Sequence, residues 1–342
     1  MSGREMLTDH DYHSLTVTDV VTETNDARTF VLAVPPHLAG VFAYRAGQFC
    51  TFRATVAGED VARSYSMSSS PDIGDPLAVT VKRVPGGKMS NWMIDTLAVG
   101  DSIDVLRPAG LFVLGPSTGP IVAYAGGSGI TPIFAIIKSA LATTSRAIRL
   151  IDANRDAGSI IFERALVDLI AQSDGRLEVH SHLDDATGYL TPQQCADHAA
   201  GLVDADHYIC GPRPYMDTVE AGLELLGMAN SRVFIERFAA PDDTVLTESS
   251  PTETVVIRHQ RQKRTAEYRL GDTILDTARR AGLRPPFSCE GGSCATCMAL
   301  VEVGAATMRV NNALTADEVE AGWVLTCQAV PSTREVVVNY DA

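Results

Sequence analysis

The chain has 342 residues, enough for two or three domains that each build their own core. Its composition is 45% hydrophobic with mean hydropathy +0.05, and no apolar run approaches the ~18 residues that cross a bilayer, so a globular protein that is not a membrane protein is expected. The net charge of −14 lacks the basic footprint that nucleic acid demands.

The opening residues Met1–His10 are polar and carry no apolar h-region, which predicts a cytoplasmic protein whose thiols stay reduced. The acidity is uneven. Residues 252–342 hold 11 acidic and 10 basic side chains, so the excess lies upstream, where it reads as a solubilising surface.

Residues 13–34 alternate apolar and polar through Leu15, Val17, Val20 and Val21, then Phe30, Leu32 and Val34, the period of strands. Further strands are expected over 48–56, 61–68, 77–84 and 102–106, with a helix near 90–97. Many short strands before any repeated helix pattern predict an antiparallel barrel. Inside it, Arg63-Ser64-Tyr65-Ser66 puts a guanidinium and an aromatic ring on one strand face, a clamp for a flat, phosphate-bearing ligand. Gly86-Gly87-Lys88-Met89-Ser90 would open the helix, with Ser90 at or beside its N-cap, and suit a phosphate. Read alone, each is more often a plain strand or a plain turn.

From Pro120 the rhythm changes. Strands are expected at 121–125, 148–153, 177–181, 207–210 and 232–238, alternating with helices at 132–141, 159–170, 192–199 and 212–226. That pattern predicts a parallel sheet covered on both faces, with ligands beyond the carboxyl ends of its strands. The first strand runs into Gly126-Gly127-Ser128-Gly129-Ile130-Thr131-Pro132, glycines that let a pyrophosphate approach the backbone at a helix start. Cys210-Gly211-Pro212 ends another strand. Asn154-Arg155-Asp156 follows the second, where an adenosine ribose would lie. Arg155 could take a 2′-phosphate, but Asp152 and Asp156 beside it repel one, which favours NADH over NADPH.

A polar stretch, 240–253, reads as a linker. After it come a hairpin at 253–270, a helix at 273–281 closed by Gly282, a capping box at Thr315 and Glu318, and strands at 324–327 and 336–340. Between them lie Cys289, Cys294 and Cys297, answered by Cys327 after a gap of 29 residues. C-x4-C-x2-C followed by a distant cysteine is the plant-type spacing of a [2Fe-2S] cluster. Structural zinc, the alternative, normally uses paired C-x2-4-C hooks.

The last ninety or so residues therefore resemble a plant-type ferredoxin domain. The order R-x-Y-S, G-x-x-S, G-G-x-G-x-T-P and C-G-P resembles the ferredoxin–NADP reductase superfamily. The resemblance implies an FAD-binding antiparallel β-barrel over 10–116, an NAD-binding α/β domain over 117–239 and a [2Fe-2S] β-grasp ferredoxin domain over 254–342. By it, Arg63 binds the flavin phosphate, Tyr65 packs on the isoalloxazine and Ser66 bonds near its N5. Ser64, Val79, Val81, Lys82, Gly87, Lys88, Met89 and Ser90 complete the flavin set. Gly127, Gly129, Thr131, Asn154, Arg155, Cys210, Gly211 and Pro212 hold the nicotinamide nucleotide. Cys210 lies beside the nicotinamide, Glu236 aids proton or hydride handling, and Phe238 shields the flavin. The family usually has Gly-Ala where this chain has Ala295-Thr296.

The electron count links the three parts, because a nicotinamide gives two electrons as hydride, a [2Fe-2S] cluster takes one at a time, and a flavin does both. The expected protein is a monomeric NADH-dependent reductase delivering electrons to a terminal oxygenase. It resembles the reductases of Rieske oxygenases and of phenylacetyl-CoA epoxidation. A diiron enzyme or a cytochrome P450 as acceptor, and a non-enzymatic zinc-binding module, are the alternatives.

Overall fold

The computed structural model describes residues 12–202, 204–228, 230–238, 251–287, 290–292 and 295–342. They fall into two compact units, one drawn from the chain up to Phe238 and the other chiefly from the chain after it.

The first unit opens with strands β1 (His13–Thr24), β2 (Ala27–Ala33), β3 (Phe49–Val56), β4 (Glu59–Ser66), β5 (Ala78–Lys82) and β6 (Ser102–Val105) in the order β4-β3-β6-β1-β2-β5. Met67, just past β4, bridges Val79 of β5, and the Ser68 N–H donates to the Ala78 carbonyl at 2.9 Å, which closes the sheet on itself as a barrel. The alternating residues Leu15, Val17, Phe30 and Leu32 fill its core with Phe52, Val79 and Val81. The alternation fails at Val21, which is exposed. A register shift between Val17 and Asp19 re-phases β1 there, so Val20 turns toward the core and Val21 away from it.

Five parallel strands follow: β7 (Ile121–Gly126), β8 (Ile148–Asn154), β9 (Leu177–Leu183), β10 (Asp206–Cys210) and β11 (Val233–Glu236), in the order β11-β10-β7-β8-β9. Strand order reverses between β7 and β10, so the crevice for a ligand opens over Gly126 and Cys210. Strand β7 is buried along its whole length, as a central parallel strand must be. The helix expected from 159 starts at Glu163. Phe162 sits in the left-handed region (φ 64°), stacked on Phe134 with ring centroids 4.5 Å apart, and this packing breaks the turn 157–159 from the helix.

The second unit is a β-grasp: β12 (Thr254–His259), β13 (Gln262–Glu267), β14 (Met298–Val303), β16 (Trp323–Leu325) and β18 (Glu335–Asn339), ordered β13-β12-β18-β14-β16, with a side pair β15 (Ala306–Met308) and β17 (Ala329–Pro331). Among the described residues of this unit, only β12 and β18 pair in parallel. The helix Ile274–Arg280 is capped by Thr273 and Asp276 and buries Ile274 and Ala278.

Candidate functional site

Strand β4 carries the first group. Arg63 is exposed, its Nη1 donating to the Ala62 carbonyl at 2.7 Å. Tyr65 is half-buried and tilts against Phe52, centroids 5.9 Å apart. Ser66 is buried, and its Oγ has no hydrogen-bond partner. A buried hydroxyl left unpaired costs roughly 1–3 kcal/mol. The orphan therefore fits a polar ring atom of a bound flavin. Ser64 shares the strand. The side chains of Val79, Val81 and Met89 lie in the barrel core, so any ligand meets them through backbone.

The turn before the first helix, Lys88–Thr96, differs from expectation. Gly87 is the N-cap, and Ser90 lies three residues in. The Ser90 hydroxyl accepts from the Val84 N–H at 3.2 Å, so it cinches the turn rather than capping the helix. A Cβ on Gly87 would stand 2.7 Å from the Ser90 Oγ, which explains the glycine. Lys88 is ion-paired to Glu59. Lys82 departs from its expected company, since its ammonium lies 3.6 Å from where a Gly127 Cβ would stand, at the nucleotide loop.

The strand ends of the parallel sheet converge without room to spare. A Cβ on Gly129 would sit 2.0 Å from the Cys210 carbonyl oxygen, and one on Gly126 or on Gly211 would sit 2.8 Å from the Tyr215 ring. Only glycines let the loop and the Cys210-Gly211-Pro212 corner touch. The Thr131 hydroxyl donates to the Ser128 carbonyl at 3.0 Å and tightens this loop, while Pro212 N-caps the helix Arg213–Leu225.

Cys210 and Glu236 are register partners on β10 and β11, both buried. Burial pushes the Cys210 thiol well above its ordinary value, with Glu236 adding to the shift, so the sulfur stays protonated. Burial pushes the Glu236 carboxyl up to about 8. This corner of the crevice is therefore uncharged at neutral pH. Phe238 is partly exposed.

At the end of β8, Asn154 donates from Nδ2 to Asp152 Oδ2 at 2.9 Å. Asp152 Oδ1 and Asn154 Oδ1, both buried, have no partner. Burial, partly offset by Asn154 and Lys82, pushes Asp152 up to about 7. Arg155 is exposed and 3.7 Å from Asp26 of the barrel. Sequence reasoning uses Asp152 only as a repelling charge and misses Tyr215 and Asp26. A carboxylate inside the apolar run of β8 is the available signal.

In the second unit, Cys289 and Cys294 lie outside the described residues. Cys297 and Cys327 are buried, and the Cys327 N–H donates to the Cys297 sulfur at 3.5 Å. Backbone N–H groups aimed at sulfur suit thiolates that carry a cluster's charge. Gly292 has φ 75°, and a Cβ there would stand 2.6 Å from the Val310 carbonyl oxygen. Ala295 also lies in the left-handed region (φ 54°), which accounts physically for the glycine usual at that place. The residues present fit a [2Fe-2S] cluster.

Comparison with known proteins gives the same partition. Three family models match: an oxidoreductase FAD-binding domain over residues 14–114, an oxidoreductase NAD-binding domain over 124–221 and a 2Fe-2S iron–sulfur cluster binding domain over 257–332. The ferredoxin reductase component of 3-ketosteroid-9-alpha-monooxygenase from Rhodococcus rhodochrous is 36% identical, over 95% of this chain and 96% of its own. A component of the 1,2-phenylacetyl-CoA epoxidase of Escherichia coli (strain K12) is also 36% identical, over 97% of this chain and 98% of its own. The solved structure of phthalate dioxygenase reductase superposes with a TM-score of 0.60 at 24% identity, covering 99% of this chain and 100% of its own, a likeness of fold.

Proposed function

This chain belongs to the three-domain reductases that serve as components of oxygenase systems, carrying FAD, NAD-binding and [2Fe-2S] domains, and we propose that it supplies electrons from NADH to a Rieske-type terminal oxygenase of the 3-ketosteroid 9α-hydroxylase kind. The observation that carries this is collinear identity to that reductase over nearly the whole of both chains. A diiron oxygenase is the second reading, because the epoxidase component is equally similar.

The working domains are residues 10–116, 117–239 and 254–342, joined by a linker at 240–253, in a cytoplasmic monomer. Bound FAD supplies the passage from a two-electron hydride donor to one-electron acceptors. Arg63 neutralises its phosphate, Tyr65 flanks the ring and Ser66 bonds the ring edge. The loop Gly126–Thr131 holds the dinucleotide, and Asn154 and Arg155 flank its adenosine ribose. Cys210 and Glu236, both buried and protonated, line the crevice beside the nicotinamide. Phe238 covers the flavin when the nicotinamide is absent. Cys289, Cys294, Cys297 and Cys327 ligate the cluster.

The test is NADH-dependent turnover with purified terminal components. Steroid hydroxylation with a Rieske oxygenase is expected. Coupled turnover only with a diiron epoxidase would replace the partner and leave the reductase standing.

A further inference from the structure

The second unit holds an ion pair that neither the fold nor the flavin chemistry requires. Arg279, in the last turn of the helix Ile274–Arg280, donates from Nη1 to Glu290 Oε2 at 2.9 Å and from Nη2 to Glu290 Oε1 at 3.0 Å. This parallel two-bond geometry is the strongest form of a carboxylate–guanidinium pair. The same guanidinium lies 3.9 Å above the Phe287 ring. Glu290 follows Cys289 in sequence. Its own carbonyl accepts from Gln328 Nε2 at 2.6 Å, and Gln328 follows Cys327. Two residues on, the Gly292 carbonyl accepts from the Asn312 N–H at 2.9 Å.

Glu290 is also a non-glycine residue in the left-handed region, φ 51°. Such a conformation persists only where its surroundings over-determine it. Here they do, because the helix takes hold of the side chain and Gln328 takes hold of the carbonyl. Side-chain identity at 290 therefore matters for what it reaches, not for the backbone shape, which a glycine would adopt more readily.

We propose that Arg279, Glu290 and Gln328 form a lock that ties Glu290 to the helix Ile274–Arg280 and to the Cys327 segment and so keeps the [2Fe-2S] cluster in the protein. These are positioning residues. They act on the cluster through the loop backbone, and the inference rests on the reading of the four cysteines as cluster ligands. The pair is partly exposed, at 34% and 42%, so each half of the lock is a modest contact.

The experiment follows visible absorbance of the purified, reconstituted full-length protein in excess chelator. Arg279→Gln and Glu290→Gln should each speed cluster loss about five-fold, and Gln328→Ala should do the same. Combining Arg279→Gln with Glu290→Gln should add little to either alone. The discriminating variant is Glu290→Gly. It relieves the backbone and breaks the lock, so the lock predicts faster cluster loss, whereas a loop held by its own geometry predicts slower loss. Flavin content and NADH-driven ferricyanide reduction report on the first unit and should not change. Arg280→Gln, which removes a neighbouring pair to Asp272, is the control for helix damage. Slower loss in Glu290→Gly, or unchanged loss in Arg279→Gln, overturns the proposal. Iron that never assembles in the wild-type protein would instead sink the reading of the cysteines.

Discussion

Replacing Gly129 by alanine asks the most of the nicotinamide site. The new methyl would stand 2.0 Å from the Cys210 carbonyl oxygen, 2.3 Å from its carbon and 2.7 Å from the Gly211 nitrogen. All three are backbone atoms, so no side chain can swing aside. Ordinary contact begins near 3.4 Å, so the loop and the end of β10 must part by about 1.4 Å. Overpacking of this kind costs roughly 1–3 kcal/mol of stability. The greater loss is in rate, since displacing a reacting group by about an ångström costs on the order of 100-fold. Cys210 sits at the displaced point. The assay is anaerobic stopped-flow bleaching of the flavin by NADH, with FAD content measured in parallel. Flavin reduction should slow by about 100-fold while FAD stays bound, because the barrel is untouched. Gly158→Ala is the matched control, since its Cβ would meet nothing closer than Asp156 Oδ1 at 3.5 Å. A Gly129→Ala protein that bleaches at the wild-type rate would refute the placement of Cys210 and the glycine loop against the nicotinamide.

Glu236 gives a pH signature. Its ordinary value is 4.5 and burial raises it to about 8, so the folded chain holds a proton that the unfolded chain releases within that window. Stability should therefore fall as pH rises from about 4.5 to 8, and Glu236→Gln should flatten the curve of melting temperature against pH. Ionised Glu236 favours the positive charge that the nicotinamide ring gains on losing hydride, so flavin reduction should speed up above about pH 8 in the wild type and not in Glu236→Gln. Arg63→Met should weaken FAD retention by about 10- to 100-fold, the worth of a charged hydrogen bond, as read by ultrafiltration of free flavin. Cys327→Ser should remove the red-brown bands while NADH–ferricyanide activity persists. Asp206→Ala should lower stability by about 3–5 kcal/mol in denaturant melts, because it strands the buried Arg146 guanidinium, which now bonds Asp206 at 2.7 Å.

Motifs with fixed spacing are legible because chemistry sets the spacing. Four cysteines around two irons and glycines against a pyrophosphate leave little freedom, and the strands and helices that carry them fall within a few residues of their expected ranges. Elements escape where no period can show. Strands β15 and β17 have three residues each, and β14 follows directly on Cys297, so the cluster loop masks it. Phe162 illustrates a tertiary override, since nothing local marks it for a left-handed turn and the Phe134 ring that holds it lies a helix away. Ser90 reads as a cap because serine before a helix usually is one. The chain spends it on Val84 instead, since Gly87 already takes the cap position. The same reasoning explains why Asp152 and Glu236 can be picked out by type but not by state. A carboxyl's charge depends on what surrounds it in three dimensions, and here both are buried deep enough to hold protons near neutrality. Sequence therefore picks out these groups by type, while the burial that sets their charge is visible only in the fold.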